Sequence, residues 1–131
     1  MGVGVGMPAM IRLEAFGMRV EDAFGQIPYL VGSAATSKTW RDVDVRLMLD
    51  DDVFHELFPR YAQLSQLDLK WCLICDALSE LARAQTGLPV DFQVQSVSAA
   101  NEKYPGIRIP LGLRISNDVG DKDRPGPEEV E

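Results

Sequence analysis

The stretch Arg41-Asp42-Val43-Asp44-Val45-Arg46-Leu47-Met48-Leu49 alternates residue by residue, with Val43, Val45, Leu47 and Leu49 on one side and Asp42, Asp44, Arg46 and Met48 on the other. A period of two is that of a β-strand, so the stretch predicts a strand with one apolar face. Aspartate is depleted in strands, and two aspartates inside a Val- and Leu-rich strand ask for a reason. Side chains two positions apart emerge on the same face, so Asp42 and Asp44 are placed to reach one cation or two adjacent ones.

Working back towards the N-terminus, Tyr29-Leu30-Val31 is a short apolar run stopped by Gly32-Ser33, which reads as a buried strand entering a turn. Before it, Leu13, Phe16, Val20, Ala23 and Phe24 recur at three- and four-residue spacing and predict a helix over 11–26, weakened by Gly17 and ended by Gly25 and Pro28. Residues 1–10 alternate glycine with small apolar residues and read as a flexible leader. Gly2, Gly4 and Gly6 mimic a phosphate-binding loop, but no strand precedes them and no basic residue follows closely.

Towards the C-terminus, Asp50, Asp51 and Asp52 suit a helix N-terminus, and the helix they open, from about Asp52 to Phe58, stops at Pro59. Leu64, Leu67, Trp71, Ile74, Cys75, Leu78 and Leu81 form one apolar stripe that predicts a long helix over 63–85, halted by Gly87-Leu88-Pro89. Val90, Phe92, Val94 and Val97 then mark a strand whose other side carries Asp91, Gln93 and Gln95. Ile107, Ile109, Leu111 and Leu113 alternate around Pro110 in the manner of an edge strand, and residues 116–131 read as an acidic, disordered tail.

At 131 residues the chain is sized for one domain, expected over 11–115. No apolar run approaches the roughly 18 residues that span a bilayer, and the N-terminus lacks the basic start and long apolar stretch of a secretory signal. Two cysteines make no disulfide framework, so a cytoplasmic protein without membrane contact is expected. The net charge of -7 repels polyanions and argues against broad, non-specific DNA binding.

Magnesium is the natural reason for Asp42 and Asp44, since it takes hard oxygen ligands and binds triphosphates through a few carboxylates, phosphate oxygens and water. Asp91 offers a third carboxylate, on the polar side of the strand that follows the long helix. Three carboxylates are enough for a pair of metal ions. Gly32 lets the backbone approach a phosphate, and Ser33 adds a hydroxyl and an amide as donors.

A Gly-Ser turn after an apolar strand and ahead of an Asp-x-Asp strand resembles the nucleotidyltransferase superfamily, the fold of polymerase beta, the minimal nucleotidyltransferases and the aminoglycoside adenylyltransferases. The resemblance covers about Ile11 to Val97, and its specific part is Val31-Gly32-Ser33 with Asp42-Val43-Asp44. It implies an α+β fold, a small mixed β-sheet with helices packed on one face. It also implies Asp42, Asp44 and Asp91 as metal ligands and catalytic carboxylates for two magnesium ions, and Gly32-Ser33 as the triphosphate turn. The reaction implied is transfer of a nucleoside monophosphate from a nucleoside triphosphate to an unidentified acceptor, such as a small molecule, a protein side chain or an RNA end. The linker Ala34–Trp40 is shorter than in the common minimal enzymes and lacks their Arg-Gly pair, which leaves Lys38 and Arg41 as candidate nucleotide contacts. With little chain after Val97 to bind an acceptor, help from a protein partner or a second copy is expected. The alternative is a catalytically silent binding or regulatory subunit on the same fold, such as a toxin and antitoxin component.

Plainer readings compete at each position. Asp42 and Asp44 would also suit the wet side of a half-exposed strand, and Asp91 the start of a strand after Pro89. Arg46, on the carboxylate face, would pair with an aspartate or contact nucleotide, the pairing being the commoner outcome. Cys72 and Cys75, in a C-x-x-C without companion ligands, read as packing residues. Trp40 would stack on a base or pack its own turn.

Overall fold

The computed structural model describes residues 4–61 and 68–112. The start of the leader, the first residues of the expected long helix and the acidic tail lie outside them. Five helices, α1 (Ala9–Phe24), α2 (Ser33–Thr36), α3 (Asp51–Leu57), α4 (Leu69–Thr86) and α5 (Val97–Lys103), accompany four strands, β1 (Tyr29–Val31), β2 (Val43–Leu49), β3 (Val90–Ser96) and β4 (Ile109–Pro110). The strands form one mixed sheet in the order β3-β2-β1-β4. The long connection through α3 and α4 returns β3 parallel to β2, whereas β1 runs antiparallel to both β2 and β4. This is the expected α+β class.

The alternation in β2 places Val43, Val45, Leu47 and Leu49 in the main core, with Leu13, Phe16 and Val20 of α1, Phe54 of α3 and Phe92 of β3. Phe16 and Phe92 meet edge to face, 5.9 Å between ring centres. Gly17 belongs to this packing. A Cβ there would lie 2.6 Å from the Leu111 Cβ, so α1 reaches the chain after β4 only because position 17 lacks a side chain. The opposite sheet face is covered in part by α5, where Met48, Val31 and Ala100 form a smaller apolar cluster with Tyr29, Val97 and Tyr104 alongside. The sequence pattern did not show this helix.

Helix α4 starts at Leu69, six residues later than the apolar stripe predicts, and stops at the expected Gly87. The Asp68 carboxylate accepts from the Trp71 amide at 3.1 Å, and Gly87 closes the helix with φ of 75°. One line of its side chains seals the outer edge of β3. The Arg83 Nε donates to the Val90 carbonyl (3.0 Å), the Ser79 hydroxyl accepts from the Phe92 amide (2.8 Å), and the Trp71 Nε1 donates to the Val94 carbonyl (2.8 Å). Cys75 completes the line with a backbone hydrogen bond from Val94, and its buried thiol is pushed up to about 11 by desolvation. Both features favour packing for this cysteine.

Order begins earlier than the leader reading has it. Val5 is buried in the core, the Gly4 amide donates to the Ala34 carbonyl (2.9 Å), and the Trp40 indole N–H donates to the Gly4 carbonyl (2.9 Å). The missing side chain at Gly4 is what lets this segment lie close: a Cβ there would collide with the Ser37 carbonyl. Trp40 is thereby a packing residue, held against the N-terminal segment rather than within its own turn. Among the described residues, no helix is long and apolar enough to cross a membrane.

Candidate functional site

β1 ends at Val31 opposite Asp44, and Gly32 turns the chain directly beside that aspartate. Gly32 has φ of 72° and ψ of -157°, a conformation closed to other residues, and a Cβ at this position would lie 2.8 Å from the Asp44 Oδ2. The turn opens the short α2, in which Ser33 is exposed. Glycine is thus needed twice, for its backbone angles and for the approach to a carboxylate.

In the parallel ladder Asp44 is the partner of Asp91, so two carboxylates stand side by side on one face of the sheet at the start of β2 and β3. Asp42 does not share this ladder. Pairing begins at Val43 with Val90, and the Val43 amide donates to the Pro89 carbonyl at 3.0 Å. Pro89 has no amide to donate, so the ladder stops there and leaves Asp42 exposed in a bend before the strand. Its charge still acts on Asp44. Burial raises the Asp44 carboxyl above its usual range; Arg46 opposes this, Asp91 and Asp42 add to it, and Lys103 opposes it.

The Arg46 side chain, 5% exposed, lies between the paired aspartates, which are 25% and 41% exposed at Asp44 and Asp91. One guanidinium nitrogen is 3.2 Å from the Asp91 Oδ2 and 3.9 Å from the Asp44 Oδ1, and it also donates to the Tyr104 hydroxyl at 3.2 Å. The other donates to the Asp91 carbonyl at 2.6 Å, and the guanidinium lies 5.5 Å from the Tyr104 ring centre. The Nε of Arg46 is buried without a hydrogen-bond partner. Of the two roles open to Arg46, pairing with aspartate is the one observed.

The carboxylate pair suits a divalent cation in its donor chemistry, and the Asp44 carboxyl is raised first by its burial, with Asp91 and Asp42 adding to the rise. As the side chains stand, no three His, Cys, Asp or Glu among the described residues are grouped to hold a metal, because Asp42 lies apart and Arg46 engages Asp91. Lys38 and Arg41 are exposed, and neither is among the charges acting on Asp44. The cation brought to the site is Lys103, at the end of α5, and Tyr104 follows it. Sequence reasoning missed both because α5 follows β3 with no intervening loop. The available signal was Ser96, whose hydroxyl accepts from the Ala99 amide at 3.2 Å and caps the helix. Compared with protein families, curated proteins and solved structures, the chain matches none.

Proposed function

We propose that the chain is a magnesium-dependent nucleotidyltransferase that binds a nucleoside triphosphate where Gly32 meets Asp44 and Asp91. The observation that carries this reading is the pairing of Asp44 with Asp91 in adjacent parallel strands, with a side-chain-free turn against the Asp44 carboxylate. Asp44, Asp91 and, from the strand mouth, Asp42 are the residues that would hold magnesium, and the ion supplies positive charge to polarise the phosphates. In the transfer, the acceptor's hydroxyl oxygen bonds to the α-phosphorus, the bond from that phosphorus to the β-phosphate bridging oxygen breaks, and pyrophosphate leaves. The acceptor proton passes to Asp91, whose side chain is the more open of the pair. Gly32 and the exposed Ser33 hydroxyl support the phosphates.

A second reading, a silent binding subunit on the same fold, is favoured by one observation: Arg46 ties up Asp91 through both its carboxylate and its carbonyl. Incubation of the purified chain with each labelled triphosphate, with and without magnesium, separates the two. Catalysis requires metal-dependent pyrophosphate release that Asp44→Asn abolishes and Asp42→Asn lowers by at least tenfold while the circular dichroism spectrum is kept. Nucleotide binding or partner binding without turnover would favour the silent subunit, and the absence of any magnesium-dependent nucleotide binding would sink the enzyme reading.

A further inference from the structure

A cavity of about 270 Å³ opens beside Gly32, lined by Gly32, Thr36, Lys103, Tyr104, Pro105 and Ile107. It shares its floor with the carboxylate site, because Gly32 touches the Asp44 position and the Tyr104 hydroxyl takes a hydrogen bond from Arg46. Its charge differs from that of the rest of the molecule. In a chain of net charge -7, the lining holds a lysine and, among the described residues, no carboxylate. The cavity beside Asp91, by contrast, is lined by Asp76, Glu80 and Asp91 against Arg83. An anionic ligand reaching the Asp44–Asp91 pair would therefore meet repulsion from the α4 side and a cation from the α5 side. Ile107 is 62% exposed at the rim, an apolar surface of the kind a base or sugar face covers.

We infer that this cavity is the nucleotide subsite, with Lys103 receiving the polyphosphate and the Ile107 and Pro105 rim receiving the nucleoside. The inference rests on the proposed function and moves the nucleotide's cationic contact from the linker residues Lys38 and Arg41 to the end of α5. A lysine in the last turn of a helix also complements the helix dipole, but that role asks for no cavity in front of it. The cavity is slightly smaller than the roughly 300–1,000 Å³ of ligand sites, which matches a site holding part of a nucleotide while the rest lies over the carboxylates.

The test is calorimetric titration of the full chain with α,β-methylene triphosphates of the four common nucleosides and with inorganic tripolyphosphate, in magnesium at low ionic strength. Lys103 and Ile107 are exposed, so Lys103→Ala and Ile107→Ser should leave the thermal midpoint unchanged. Lys103→Ala should weaken both the nucleotide and tripolyphosphate about tenfold, the size of one charged hydrogen bond. Ile107→Ser should weaken the nucleotide alone. If the wild-type chain binds nucleotide in a magnesium-dependent manner, yet Lys103→Ala keeps that affinity while Lys38→Ala loses it, the subsite assignment is overturned and the proposed function stands. If the wild-type chain binds none of the ligands, both fall together.

Discussion

At position 46 a guanidinium is withdrawn from water and held by two aspartates, a carbonyl and a tyrosine from three separate elements. A buried charge is tolerated only with such partners, and its removal leaves the carboxylates facing each other. Arg46→Met should therefore cost about 1–3 kcal/mol in urea unfolding, less than for a fully buried pair because Asp91 opens to solvent. Under the proposed reading, magnesium restores part of that loss, since a cation that binds the folded state raises its stability. A midpoint indifferent to magnesium would count against carboxylate ligation. The sequence shows that Arg46 shares a face with Asp44, but not that it is buried, because its other partners lie 45 and 58 residues further along the chain. It likewise shows Asp42 two residues from Asp44, while the ladder's end at Val43 depends on the pairing with Val90 after Pro89.

Among the elements, α1 and α4 were the most legible, because their apolar periodicity and glycine stops are local. The contact that fixes α1 was not. Gly17 reads as a weak point in a helix, yet its Cβ space is taken by Leu111. Gly17→Ala, which raises helix propensity, should for that reason destabilise the chain by about 1–3 kcal/mol, as overpacking does, when measured by chemical denaturation. α5 was illegible for a different reason. It is short, follows a strand directly, and is anchored from a distance by Asp51 of α3, whose carboxylate accepts from the Ser98 amide and hydroxyl. These hydrogen bonds lower the Asp51 carboxyl from its usual value of 3.8, so the folded state holds this proton less tightly than the unfolded chain. Their contribution is present above that value and disappears as pH falls through the lowered one. Ser98→Ala should flatten this part of the acid limb of a stability curve measured from pH 6 down to pH 2.

For the whole molecule, the acidic composition is unevenly spread over the cavities flanking the paired aspartates, and neither the net charge nor the residue order announces that arrangement. It follows from the crossover that brings β3 beside β2 and from α5 closing over the second sheet face. The sheet's two margins are also treated differently. β4 is two residues long and ends in proline, a poor template for further pairing, whereas β3 is seven residues long and is sealed by side chains of α4.

That seal makes one amide proton a reporter. The Phe92 amide is held by the Ser79 hydroxyl and by no neighbouring strand, so its exchange with solvent deuterium measures the docking of α4 rather than the integrity of the sheet. Ser79→Ala should speed exchange at Phe92 at least tenfold, while the Val45 and Leu47 amides inside the sheet keep their protection. A ligand that shifts α4 would be detected at Phe92, one residue from Asp91, before any change in the ladder itself.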